Sequence, residues 1–224
     1  MPGEAYLGYP RKEIQQFLGV KKIHALFIPY AAVTFSFDEY ESKVSERFTE
    51  LGHFITSIHH FPDPVRAVEE AEAIVVGGGN TWQLVRMLRD NNLLDAIRIK
   101  VLAGTPYVGW SAGSNVACPT LRTTNDMPVI DPRGFDCMNL VPFQINPHYL
   151  DFNPEGHGGE TREQRILEFL ELNPDIFVVG LREGTMLKYE NNHLSLIGNY
   201  SARIFRKGMA PIELNAEDDF NFLL

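Results

Sequence analysis

Apolar positions in this chain follow two rhythms. Short, nearly unbroken runs such as Ile23-His24-Ala25-Leu26-Phe27-Ile28-Pro29 and Ala73-Ile74-Val75-Val76 suit strands buried on both faces, as in a parallel sheet. Between them the apolar positions spread out. Tyr40, Val44, Phe48 and Leu51 share one face of a helix over residues 37–51, which Gly52 closes. The same reading gives a helix over 11–18 stopped by Gly19, strands over 23–29 and 54–58, and a helix from Asp63-Pro64 through Ala71. A strand over 73–76 runs into a helix ending at Asp90, with Asn80 as N-cap and Gln83 as its capping-box partner. A helix over 93–103 then leads to a strand over 106–108. Strand and helix alternate at short intervals, which predicts an α/β fold: three layers, a mostly parallel sheet with helices on both faces.

Beyond Leu121 the rhythm stops. Residues 121–153 are rich in Pro, Asn, Asp and Gly and show no periodicity, and the loop continues to Gly159. A long irregular stretch in a compact domain usually carries function. Thr161, with Gln164 as box partner, caps a further helix; 176–180 reads as a buried strand; 186–189, 194–197 and 202–206 read as short antiparallel strands, with Asn191-Asn192 as a turn. The amino end, Met1 to Leu7, is polar and turn-like. No repeat or linker interrupts the 224 residues, so one domain over 1–224 is expected.

Charge and cysteine content narrow the function. A net charge of −9 argues for no nucleic-acid partner. Cys118 and Cys137 are too few for a disulfide framework and do not form C-x-x-C, which points to a reducing compartment. With neither a signal peptide nor a transmembrane run, no membrane partner is expected and the cytoplasm is the expected location.

Gly109-Trp110-Ser111-Ala112-Gly113 fits G-x-S-x-G. On a sharp strand-to-helix turn Ser111 is strained and its hydroxyl exposed, while the Ala112 amide faces a developing oxyanion. A plain small-residue loop has the same letters. Gly77-Gly78-Gly79-Asn80 follows a strand and opens a helix, the context for anion binding by backbone amides; Gly79 supplies a second oxyanion donor. It lacks G-x-G-x-x-G and a Walker lysine, so a nucleotide loop is the weaker reading. A serine nucleophile needs a base, and the base an orienting acid. His24, His53, His59 and His60 lie in or beside strands and read as structural or solvated, and His193 as a hairpin residue. His148, fixed behind Gln144-Ile145-Asn146-Pro147, is favoured as base over His157, which sits among Gly156, Gly158 and Gly159. Asp126 and Glu183 are the candidate acids. Glu183 is favoured because it follows a strand end, where side chains are held rigidly. No metal site is expected: there is no H-E-x-x-H, and His59-His60 has no carboxylate or cysteine at ligand spacing.

Five segments in order, Val75-Val76-Gly77-Gly78-Gly79-Asn80-Thr81, Gly109-Trp110-Ser111-Ala112-Gly113, Thr123-Thr124-Asn125-Asp126-Met127-Pro128, Gln144-Ile145-Asn146-Pro147-His148 and Gly159-Glu160-Thr161-Arg162-Glu163-Gln164-Arg165, closely resemble the peptidase E family. These are α-aspartyl dipeptidases, relatives of cyanophycinase on a flavodoxin-like fold similar to class I glutamine amidotransferases. The resemblance implies Ser111 as nucleophile, His148 as general base and the Gly79 and Ala112 amides as oxyanion hole. It leaves the triad acid open between Glu183 and Asp126. It implies cleavage of Asp-X dipeptides with a free α-amine, without metal or cofactor. Planar bidentate pairing suits arginine, so Arg122 and Arg162 are expected to read the aspartyl carboxylate. Asp126 or Glu160 would hold the amine, and Asn80 completes the substrate-binding set. Arg165 reads as surface charge. With Asp126 on the amine, Glu183 is the triad acid, the preferred reading. The loop carrying Arg162 is expected to close over the aspartyl end.

The chain departs from that family twice. Members usually begin with an extra apolar strand ahead of Met1-Pro2-Gly3; its absence is expected to expose a sheet edge that a second subunit covers, giving a homodimer. Arg182 stands where the family often has proline, and is expected to pair with Glu183 or Glu160. Competing readings are a cyanophycinase-like hydrolase of aspartyl-arginine polymer, disfavoured by the short chain, and a non-catalytic binding module on the same fold, disfavoured by intact Ser111, His148 and both acids. An amidotransferase would need cysteine at Ser111.

Overall fold

A computed structural model of the chain describes residues 6–153, 156 and 158–224. The expectations for Met1 to Ala5 and for His157 concern residues outside these. The chain divides into two compact units. One takes Pro2–Leu121 and Asp126–Leu140, the other Arg122–Asn125 and Val141–Leu224.

In the first unit the chain runs α1 (Arg11–Leu18), β1 (His24–Ile28), α2 (Phe37–Glu50), β2 (Phe54–Ser57), a 3-10 turn (Ile58–His60), α3 (Pro64–Glu70), β3 (Ala73–Val76), α4 (Thr81–Asp90), α5 (Leu93–Leu102), β4 (Tyr107–Gly109) and α6 (Ala112–Ala117). The four strands pair in parallel in the order β2-β1-β3-β4. Successive strand residues point to opposite faces, so each apolar run feeds two cores. Leu26, Ile28, Ile74 and Val76 pack with Val68, Leu84, Leu88, Ile97 and Val116 from α3, α4, α5 and α6. Ala25, Phe27, Ala73 and Val75 pack with Ile14, Tyr40, Val44 and Phe48 from α1 and α2. That double burial is why the strands read as unbroken apolar runs.

The expected Asn80–Gln83 capping box forms only by half. The Asn80 carboxamide accepts from the Gln83 N–H. Its own backbone N–H is taken by the Ala31 carbonyl at 2.9 Å, leaving nothing for the Gln83 side chain to cap.

The second unit holds β5 (Gln144–Pro147), α7 (Arg162–Leu172), β6 (Val178–Leu181), β7 (Thr185–Glu190), β8 (His193–Gly198), β9 (Ala202–Phe205) and β10 (Ile212–Leu214). β5 and β6 pair in parallel; β9 runs antiparallel to both β6 and β10. β7 and β8 form a separate hairpin. Asn191 and Asn192 turn it with φ 53° and 59°, the left-handed pair a two-residue hairpin turn requires. Thr161 and Gln164 close the expected capping box on α7.

The stretch expected to be irregular contains β5. All four of its residues are buried, although two are polar. Gln144 Nε2 donates to Thr123 Oγ1 and Asn146 Nδ2 to the Thr123 carbonyl, while Thr123 Oγ1 donates to the Ile145 carbonyl. Polar residues anchored in this way break the apolar pattern that marks a strand, although the buried Asn146 Oδ1 has no partner among the described residues. β10, three residues long, was also outside the expectation. Among the described residues no helix is long and apolar enough to cross a membrane.

Gly113 sits inside α6, where alanine would ordinarily gain up to about 1 kcal/mol. Here a Cβ would overlap the Val76 carbonyl oxygen of β3. Overpacking against backbone outweighs propensity, so Gly113→Ala is expected to lose about 1–3 kcal/mol net. Urea unfolding followed by circular dichroism checks this, and an unchanged or raised midpoint contradicts the packing argument.

Candidate active site

Ser111 occupies the corner between β4 and α6 at φ 53° and ψ −113°. A non-glycine residue there carries roughly 1–3 kcal/mol of strain, so the surroundings must impose it. They do so through close backbone contact. A Cβ on Gly109 would stand 2.6 Å from the Gly113 carbonyl oxygen. Trp110 locks the corner from the other side, stacking on Phe27 and donating its indole N–H to Tyr6 Oη at 2.8 Å.

The glycine loop after β3 lies directly against the serine. A Cβ on Gly78 would approach Ser111 Cβ to 2.9 Å. Gly79, at φ 135°, has no room for one beside the Ala31 carbonyl. Tyr40 Oη donates to the Gly78 carbonyl at 3.0 Å and shares a 3.0 Å hydrogen bond with Tyr6 Oη. Burial raises the phenol pKa of both tyrosines, so they remain donors. In a trans peptide the N–H points opposite the preceding carbonyl. Tyr40, by holding the Gly78 carbonyl, therefore aims the Gly79 N–H. Sequence reasoning assigned Tyr40 only to the apolar face of α2. Ala112 is the first residue of α6, and a helix leaves its first N–H groups without intrahelical partners.

Asp126 and Asn80 meet at the N-terminus of α4. Asp126 Oδ2 accepts from the Thr81 N–H at 2.8 Å and from Thr81 Oγ1 at 2.7 Å. Asn80 Nδ2 donates to the Met127 carbonyl at 2.9 Å, and Trp82 Nε1 to the Asp126 carbonyl at 3.0 Å. The Asp126 carboxylate lies where the helix dipole favours negative charge.

In the second unit, His148 and Glu183 leave neighbouring parallel strands whose ends are in register at Pro147 and Leu181. His148 takes φ 53°, and its Nδ1 lies 2.6 Å from Glu183 Oε2. A carboxylate acceptor places the ring proton on Nδ1 and leaves the Nε2 lone pair free. Both side chains are about half exposed, at 54% and 52%. The Thr123-Thr124-Asn125 motif underpins this pair. Beyond the Thr123 bonds to β5, Asn125 Nδ2 donates to the Pro147 carbonyl at 2.7 Å, fixing the peptide that leads into His148.

Arg182 does not pair with Glu183 or Glu160 as expected. Its guanidinium bridges Asp151 at 2.5 Å and Glu213 at 2.8 Å, and donates to the Ser201 carbonyl. The hydrogen bond from Arg182 holds Asp151 below the ordinary carboxylate range. Neighbouring side chains along a turn diverge, so Arg182 points into this cluster and Glu183 to His148. Arg182 thereby anchors the turn, whose carbonyl also accepts from Thr185 Oγ1 at 2.5 Å.

Of the remaining site candidates, Arg122 is exposed just ahead of Thr123 and Arg162 opens α7, half-buried. Glu160 is exposed and lies 3.6 Å from Arg165. The reading of His59-His60 as lacking carboxylates is overturned. Asp38 and Glu41 from α2 stand against them, at 3.0 Å from His59 Nε2 and 2.6 Å from His60 Nε2. A separation of about twenty residues hid carboxylates that folding brings together.

The peptidase family S51 model matches residues 1–197. A peptidase E from Nostoc sp. strain PCC 7120 is 54% identical over 224 residues, spanning 99% of this chain and 92% of the relative. A peptidase E from Escherichia coli O6:K15:H31 is 46% identical over 220 residues, spanning 98% and 96%. The crystal structure of a peptidase from an acI-B1 actinobacterium shares the fold with a TM-score of 0.69 at 18% identity, over 97% of this chain and 94% of that one. A family match that runs from the first residue past His148 and Glu183, with relatives of this identity along nearly the whole length, places the chain in peptidase family S51.

Proposed function

We propose that this peptidase is a serine dipeptidase that hydrolyses Asp-X dipeptides through an acyl-enzyme on Ser111. The observation that carries the reading is the strained Ser111 corner with the glycine loop packed against it. In the proposed reaction His148 Nε2 takes the Ser111 proton as Oγ attacks the aspartyl carbonyl. Glu183 holds His148 in the required tautomer and stabilises the imidazolium that forms. The Gly79 and Ala112 N–H groups stabilise the oxyanion. His148 then protonates the departing amine of X, and the cycle repeats with water, releasing aspartate.

The 2.6 Å bond between His148 and Glu183 supports Glu183 as the triad acid. The engagement of Asp126 at the start of α4 supports its role on the substrate side, holding the α-ammonium group with Asn80 nearby; Glu160 is the other candidate for the amine. Arg122 and Arg162 are assigned to the aspartyl carboxylate, where a fixed guanidinium fork suits a planar anion. None of these steps calls for a metal or cofactor.

Release of leucine from Asp-Leu, Asn-Leu and N-acetyl-Asp-Leu tests the specificity. Asp-Leu alone is expected to be cleaved, and Ser111→Ala is expected to abolish cleavage while the circular dichroism spectrum is retained; an active Ser111→Ala protein removes the mechanism. The acid assignment predicts opposite kinetic signatures. Glu183→Gln should lower kcat by roughly 10²–10⁴-fold, as when a triad acid is made neutral, whereas Asp126→Asn should act mainly on KM. The reverse pattern would return Asp126 to the triad. Tyr40→Phe removes the donor that orients the Gly78 peptide, and should cost less than the roughly 10²–10³-fold loss of an oxyanion donor itself. The loss is expected in kcat with KM little changed, and a change confined to KM would deny Tyr40 this part.

A further inference from the structure

We propose that Asp38, Glu41, His59 and His60 form a binding site for a single divalent transition-metal ion of the zinc class. The four residues come from the first two turns of α2 and the 3-10 turn after β2. Each offers one ligand atom, and these atoms all lie within 4.8 Å of one another. Zinc–nitrogen and zinc–oxygen bonds of about 2.0–2.2 Å put tetrahedral ligands roughly 3.3 Å apart. The separations here bracket that value: 3.0 Å from His59 Nε2 to Asp38 Oδ1, 2.6 Å from His60 Nε2 to Glu41 Oε2, and 3.9 Å from His60 Nε2 to Asp38 Oδ1. Asp38 Oδ1 thus faces both imidazoles, so the groups converge on one point rather than forming two separate pairs.

The support behind the ligands is what distinguishes this cluster from a chance gathering of surface charge. Ser57 is fully buried. Its backbone N–H donates to Glu41 Oε1 at 2.6 Å, leaving Oε2 to the cluster. Its Oγ lies 2.6 Å from His59 Nδ1, which turns Nε2 toward Asp38. One buried residue therefore orients a ligand from each of the two elements, as outer-shell partners do in metal sites. His59 and Glu41 are largely covered, with side-chain exposures of 21% and 18%; His60 and Asp38 are open, at 45% and 77%. An ion can enter from solvent. Two imidazoles select against magnesium and calcium, and the lack of a thiolate selects against soft ions such as Cu(I). Bound metal would clasp the start of α2 to the end of β2. No step of the proposed peptidase chemistry passes through these four residues, so the clasp acts on stability.

The test uses the untagged full-length chain, stripped with a chelator and dialysed. Calorimetric titration with Zn²⁺ is expected to give one ion per chain. Co²⁺ is expected to show visible d–d absorption without the charge-transfer band of a thiolate ligand. His60→Ala, at an open surface position, should fold normally and weaken Zn²⁺ binding at least about tenfold, and Ser57→Ala, which removes no ligand, should weaken it by about 10–100-fold. Zn²⁺ should raise the thermal midpoint of the unaltered chain, since a ligand that binds only the folded state stabilises it, and that rise should vanish in His60→Ala. The absence of saturable Zn²⁺ binding, a thiolate band with Co²⁺, or an affinity that His60→Ala leaves intact would each overturn the site.

Discussion

Main chain packed directly on main chain is the constraint on which the Ser111 corner depends. The Val76 carbonyl touches α6 at Gly113, and the Gly113 carbonyl in turn crowds Gly109. The Ala31 carbonyl closes over Gly79, and Gly78 abuts Ser111. Each contact needs a residue without Cβ, and each flexible glycine costs about 0.5–1 kcal/mol of extra chain entropy when ordered. Adding the strain at Ser111, the corner opposes folding by several kcal/mol on the order of these values. What offsets it is the pair of cores on either side of β1 and β3, where residues such as Phe27, Ile28, Val75 and Val76 are fully buried, each worth roughly 1.5–3 kcal/mol. A short, doubly covered parallel sheet can carry a strained corner that a half-exposed sheet could not.

The same device recurs at both candidate-site turns. A side chain grips a carbonyl, and the peptide plane carries the orientation to the next residue. Tyr40 holds the Gly78 carbonyl and so directs the Gly79 N–H. Asn125 holds the Pro147 carbonyl and so sets the peptide entering His148. Neither Tyr40 nor Asn125 needs to touch a substrate to matter. Both act on groups that have no side chain of their own to be positioned by packing, which is why hydrogen bonds do the work.

Elements whose local pattern reflects burial on two faces could be read from the sequence. The runs at 73–76 and 23–28 and the spaced apolar positions of α2 declared themselves, as did the Asn191-Asn192 turn and the capping box at Thr161 and Gln164. β5 could not be read, because Gln144 and Asn146 are buried through hydrogen bonds to Thr123 and Asn125, partners about twenty positions away. The same limit applies to pairing. The G-x-S-x-G corner, the base candidate and two acid candidates were visible as residue types. That Glu183 lies on His148, that Asp126 lies on Thr81, that Arg182 turns to Asp151 and Glu213, and that Asp38 and Glu41 meet His59 and His60 all depend on distant segments. The half-formed cap at Asn80 makes the point in miniature, since its backbone N–H was claimed by Ala31, about fifty positions upstream.

Parallel pairing explains why so much chemistry collects on few turns. In a parallel sheet every strand ends at the same edge, so every turn that follows a strand emerges there, whereas an antiparallel sheet would send alternate turns to opposite edges. The loop holding Ala31, the turn with His59 and His60, the glycine loop and the Ser111 corner follow β1, β2, β3 and β4 respectively. His148 and Glu183 likewise follow the parallel pair β5 and β6. Within the first sheet the order β2-β1-β3-β4 then separates two chemistries along one edge. Three strand spacings of about 4.8 Å put the His59–His60 turn roughly 14 Å from the Ser111 corner. That is too far for one group to ligate or protonate the other, yet both hang on β1 and β3. Any stiffening of the β2 side would therefore reach the Ser111 corner through the sheet's own hydrogen bonds and through α2, whose Tyr40 lies between Asp38 and Glu41 and holds the Gly78 carbonyl, rather than through the charge around Ser111.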